Sequence, residues 1–109
     1  MDIAHEGFVR LRNRIDLASC LGVEIVNPGI GVTSDPREVE WFHKEFDALL
    51  GYAEKRKIKI GLESHAGLTE TAGATLALCN KLGRPNLELN YDAGNVRFYT
   101  GLDPVADLE

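Results

Sequence analysis

Two strand-like runs separated by a helix-length segment constrain this chain more than any other feature. Lys59-Ile60-Gly61-Leu62-Glu63 and Leu87-Glu88-Leu89-Asn90-Tyr91-Asp92 alternate between two faces, and each stops at a carboxylate. Between them stand a Thr69 cap and a small-residue run, predicted to be helical over 70–82. Gly83 ends that run, and Pro85 prevents its return. Strand, crossover helix and strand imply a parallel pair with a right-handed connection. Glu63 and Asp92 then emerge at the same rim, the carboxyl ends of the strands, where α/β folds place their chemistry. Two converging acids suit a divalent-metal site or an acid/base pair. The plainer alternative makes Glu63 a solvated loop acid and Asp92 the cap of a turn.

The rest of the chain repeats the alternation. Phe8, Leu11, Ile15 and Ala18 recur at helical spacing over 4–21, and Gly22 is a natural helix stop. Val23-Glu24-Ile25-Val26 reads as a short strand broken by Asn27-Pro28-Gly29, with a loop over Gly31–Ser34. Asp35-Pro36 opens a second helix, with Asp as the cap and Pro in the first turn. Val39, Phe42, Phe46, Leu49 or Leu50, and Ala53 form its apolar stripe through about Arg56, and Lys55-Arg56-Lys57 suits its last turn. Trp41 and the Phe pair read as helix-to-sheet packing and His43 as a surface residue. Ala93-Gly94-Asn95 reads as a turn, and 96–109 is ambiguous.

The order α-β-α-β-α-β predicts an α/β fold with about three parallel strands. The second and third strands each have one apolar and one polar face. A doubly wound sheet, covered on both sides, wants both faces apolar. A barrel wall can turn its inner face polar around a site. The pattern therefore favours a partial (βα) barrel.

At 109 residues the chain suits one domain and falls short of the ~200 that a complete eight-stranded barrel needs. A net charge of −5, with no basic stripe, disfavours nucleic acid as a partner. No apolar stretch is long enough to span a bilayer and no secretory signal is present, so a cytoplasmic location is expected. Cys20 and Cys79 lie in apolar helical patterns and read as buried free thiols.

Leu21-Gly22-Val23-Glu24-Ile25-Val26-Asn27-Pro28-Gly29, Gly61-Leu62-Glu63-Ser64-His65 and Leu89-Asn90-Tyr91-Asp92-Ala93-Gly94-Asn95 together resemble the xylose-isomerase-like barrel superfamily. That group includes sugar and sugar-phosphate isomerases and epimerases, inosose dehydratases and repair enzymes of the endonuclease IV type. The likeness covers roughly residues 17–108 and resembles about the third to fifth strands of the barrel. It implies that Glu63 is both a divalent-metal ligand and a catalytic acid/base, and that Asp92 is a second ligand. The metal implied is Mn, Mg, Co or Zn, held in the complete barrel. His65, two residues past Glu63 and on the same side of an extended strand, is a candidate metal ligand, a support for one, a substrate contact or a loop histidine with no role, and Asn95 is a candidate substrate contact. A further histidine and acid come from later strands in the family. Asn95 stands where an Asp-x-x-His motif has its histidine. Asn27 stands where endonuclease-IV-type sites have a zinc-binding histidine, which argues against the trinuclear repair enzyme.

The function expected is thus that of a fragment of a divalent-metal-dependent sugar or sugar-phosphate isomerase or epimerase, inactive as this short chain. A non-catalytic metal- or sugar-binding relative and an endonuclease-IV-like metal hydrolase are the alternatives. Residues 1–109 are read as a single truncated domain whose partner is a small sugar or sugar phosphate. Its two open strand edges predict a homo-oligomer.

Overall fold

The computed structural model describes residues 3–30 and 35–109, so the loop expected over Gly31–Ser34 lies outside the described residues. The elements run α1 (Ile3–Leu21), β1 (Ile25–Val26), α2 (Pro36–Lys55), β2 (Lys59–Glu63), α3 (Ala72–Leu82), β3 (Leu87–Asn90), α4 (Ala93–Thr100) and α5 (Pro104–Leu108). The strands form one parallel sheet in the order β1-β2-β3. Because right-handed crossovers never reverse direction along this sheet, they leave their helices on one face. This is the winding of a barrel wall, and the partial (βα) barrel is the fold observed.

Leu11, Ile15 and Ala18 of α1, Phe46, Leu49, Leu50 and Ala53 of α2, and Leu78 of α3 join Ile60, Leu62 and Leu87 in one buried core. The opposite face of the sheet is open. Ile25 shares register with Lys59, Gly61 with Glu88, and Glu63 with Asn90, so these side chains line that face. Lys59 and Glu88 form an ion pair there at 3.0 Å. A Cβ at Gly61 would collide with Asn27 Oδ1, so the glycine gives the Asn27 amide its place on the open face.

Local chemistry accounts for the element ends. The Asp35 carboxylate accepts the Arg37 N–H and caps α2. The Val23 N–H turns back to the Ala18 carbonyl, so β1 shrinks from the expected Val23–Val26 to Ile25–Val26. The α3 cap is Thr71 rather than Thr69, its hydroxyl accepting from the Ala74 N–H. Thr69 is instead fully buried in the preceding loop, where its hydroxyl donates to the Glu63 carbonyl and accepts from the His65 N–H. Ala93-Gly94-Asn95 is the first turn of α4 rather than an isolated turn, because Asp92 caps it.

Three packing expectations change. Trp41 meets Phe8 edge-on at 5.5 Å between ring centroids, and Phe42 lies beside Phe8 and stacks on Phe46. The aromatic group therefore joins α1 to α2, and only Phe46 is fully buried. The two thiols are free, but Cys20 is exposed and only Cys79 is partly buried, which pushes its thiol up. His43 is half-buried rather than a plain surface residue, and burial with Lys81 nearby holds its imidazole below the usual value.

Two polar ties hold the ends of the layer. The buried Asn86 amide donates to the carbonyls of Leu50 and Ile58, at 3.0 and 3.1 Å. It thereby fastens the end of α2 and the start of β2 to the α3–β3 loop. Near the other end, Asp107 Oδ2 accepts both the Ala72 N–H and the Tyr91 hydroxyl at 2.8 Å, binding α5 to the start of α3. Burial and this carboxylate push the Tyr91 phenol from 10.0 up to about 12.

Asn86→Ala removes both bonds and should cost about 1–3 kcal/mol in urea unfolding. The exposed control Asn80→Ala should stay within about 0.5 kcal/mol, and equal losses would contradict the tie. Tyr91 holds its proton more tightly in the folded state than in the unfolded one. Its contribution is therefore complete below pH about 10 and is lost as pH rises towards about 12. Circular dichroism across that window should show a shallower alkaline loss for Tyr91→Phe than for the wild type.

Candidate site at the carboxyl rim

β2 delivers Glu63 as its last residue, directly opposite Asn90, the last residue of β3. Asp92 follows two residues later as the cap of α4. Both acids therefore leave adjacent parallel strands at the same end of the sheet. Ser64 joins the two strand ends. Its N–H donates to the Asn90 carbonyl at 3.2 Å, and its hydroxyl accepts the Asp92 N–H at 3.1 Å. Ser64 is buried, so these bonds are shielded from competing water.

Glu63 has its backbone fully engaged. Its N–H donates to the Pro28 carbonyl at 3.1 Å and its carbonyl accepts the Thr69 hydroxyl at 3.0 Å. Its half-buried carboxylate has no hydrogen-bond or ion-pair partner among the described residues. The backbone is held and the acid is left available, an arrangement suited to binding or proton transfer. Asp92 is committed in part, since Oδ1 accepts the Asn95 N–H at 2.9 Å.

Asn95 carries a second bond, from Nδ2 to the Ser64 carbonyl at 2.9 Å. His65 places Nε2 3.3 Å from the Tyr99 hydroxyl, with the ring centroids 4.8 Å apart. Asp92, Asn95 and Tyr99 thus fall on one face of α4 and dock onto Ser64-His65. Ser64 and Tyr99 are the residues that sequence reasoning missed. The helical spacing of 92, 95 and 99 carries the signal, but it becomes visible only once 93–100 is known to be helical.

The two acids supply hard oxygen donors of the kind that Mg²⁺ and Mn²⁺ prefer. Among the described residues, however, no group of three or more His, Cys, Asp or Glu side chains is placed to hold a metal ion. The donor chemistry fits, and the ligand count of this chain alone falls short.

The family profile described as xylose isomerase-like TIM barrel matches residues 2–109, and the chain belongs to that family. Solved structures agree on the fold. A xylose isomerase domain protein from Planctomyces limnophilus superposes with a TM-score of 0.80 at 22% identity, covering 93% of this chain and 36% of its own. A xylose isomerase-like TIM barrel protein from Mycobacterium smegmatis, in complex with magnesium, gives 0.77 at 22% identity, covering 87% and 38%. D-allulose 3-epimerase from Methylomonas sp., in complex with D-allulose, gives 0.76 at 20% identity, covering 90% and 38%. This chain therefore spans well under half of each of these barrels. No functionally curated protein matches it.

The cap at Asp92 can be separated from any ligand role. Asp92→Ala removes the acceptor of the Asn95 N–H and should lose about 0.5–2 kcal/mol in denaturant unfolding, whereas Asp92→Asn keeps the cap and should lose only a few tenths. Equal losses from the two variants would rule out the cap as the source of stability.

Proposed function

We propose that the carboxyl rim is part of the active site of a divalent-metal-dependent isomerase or epimerase acting on a sugar or sugar phosphate. The observation that carries this reading is the placement of Glu63 and Asp92 at the same end of adjacent parallel strands, with the Glu63 carboxylate unpartnered among the described residues. Family membership supports the reaction class, and the D-allulose and magnesium complexes of structural neighbours support the ligand classes.

In this reading Glu63 and Asp92 would hold Mg²⁺, Mn²⁺, Co²⁺ or Zn²⁺ together with donors from further strands. The metal, when bound, would polarise neighbouring hydroxyl and carbonyl oxygens of the substrate. Glu63 would take a proton from the carbon beside the carbonyl, and a partner acid from a further strand would deliver a proton to the opposite face to complete epimerisation. Asn95 orients the ligand at the rim, and His65 acts there through Tyr99, because its Nε2 faces the Tyr99 hydroxyl and its Nδ1 is buried. One N–H of Asn95 Nδ2 donates to the Ser64 carbonyl, which leaves its other N–H and its carbonyl oxygen for a ligand hydroxyl.

Glu63→Gln, introduced into a protein that carries this chain within a complete barrel, should lower kcat about 10²–10⁴-fold with folding retained. Unchanged turnover would exclude Glu63 as the base. In the 109-residue chain alone, added Mn²⁺ should bind weakly and broaden the amide signals of 63–65 and 91–95 first. Broadening centred elsewhere would move the metal away from this rim.

A further inference from the structure

His65 has two ring nitrogens in opposite circumstances. Nε2 faces the Tyr99 hydroxyl at 3.3 Å, with the two rings inclined at 37°. Nδ1 is buried and has no hydrogen-bond partner among the described residues. The Gly29 backbone packs against the other ring edge, where a Cβ would stand 3.5 Å from Cδ2. A neutral imidazole carries its proton on one nitrogen only. Placed on Nδ1, that proton would be a buried donor without an acceptor, the rarest of unsatisfied groups. Placed on Nε2, it meets the phenol oxygen.

We propose that Tyr99 is a positioning residue of the rim: its phenol oxygen accepts the Nε2–H of His65 and holds the imidazole in that tautomer. The Tyr99 O–H is then left free to donate to an uncharged oxygen of a polyol or carbonyl ligand. Tyr99 is 39% exposed and belongs to the α4 face that carries Asp92 and Asn95, and its hydroxyl lies at His65, two residues past the end of β2. The ligand class rests on the isomerase reading of the rim, whereas the tautomer does not.

The test is two-bond ¹H–¹⁵N correlation of the His65 ring in the 109-residue chain at pH about 9, well above the ordinary imidazole range. Neither metal nor sugar is present, so failure here is distinct from failure of the isomerase reading. The wild type should show a single tautomer, with Nε2 protonated and Nδ1 bare, and His65→Gln assigns the signals. Tyr99→Phe should relax the ring towards the mixture of a free imidazole, while backbone amides away from 63–67 and 95–100 stay in place. Tyr99→Gln provides a second variant, with the same expected relaxation, should the phenylalanine disturb the fold. A protonated Nδ1 in the wild type, or a tautomer unchanged by loss of the phenol, overturns the proposal.

Discussion

The parallel register between β2 and β3 governs both the core and the rim. Pairing Ile60 with Leu87 puts their side chains together beneath the helices, and the same register brings Glu63 level with Asn90 on the open side. A slip of one residue would exchange the two faces, burying charge and exposing the core. The pair is clamped at both ends by bonds from side chains to backbone. Asn86 holds the amino end through Leu50 and Ile58, and its own carbonyl accepts the Ile60 N–H at 2.8 Å. Ser64 holds the carboxyl end through Asn90 and Asp92. The site is therefore positioned by the sheet itself rather than by flexible loops hung from it.

The parts of the fold legible from residues alone were those in which one interaction decides. Asp35-Pro36 can start a helix and do little else. Gly83 adopts φ +60 at the end of α3, as the helix-stop reading requires. The alternation in 59–63 reports two faces because strands have a strict period of two, whereas in β3, the outer strand, Leu87 is buried and Leu89 is exposed. Where two residues compete for one task, the sequence was ambiguous. Thr69 and Thr71 are both plausible caps, and only the burial of Thr69 against the Glu63 carbonyl settles which one serves α3. Asp92 closes a strand and opens a helix at once, so the residues after it fit a turn as well as the first turn of α4.

The candidate site was legible to the same extent. Glu63 and Asp92 stand out because each ends a strand, and the parallel pairing puts both ends on one rim. Ser64 was opaque because its role is a contact between strands far apart in sequence. Tyr99 is opaque because its place depends on α4, whose start looks like a turn in the sequence. Tertiary contacts of this kind leave no local pattern. They arise when α4 swings over the β2–α3 loop and brings Asn95 and Tyr99 against Ser64 and His65.

The Lys59–Glu88 pair has an electrical meaning for the whole open face. It cancels charge where the strands begin, with both side chains about half exposed. Where the strands finish, Glu63 and Asp92 have no cationic partner among the described residues. The face is therefore graded along the strand axis, from neutral at one end to negative at the other. A small cation drifting over it feels a force directed along the chain's own direction of travel, and a polar molecule turns its positive end the same way. That vector follows from all three strands running in one sense. An antiparallel sheet of the same residues would place the two acids at opposite ends and abolish it.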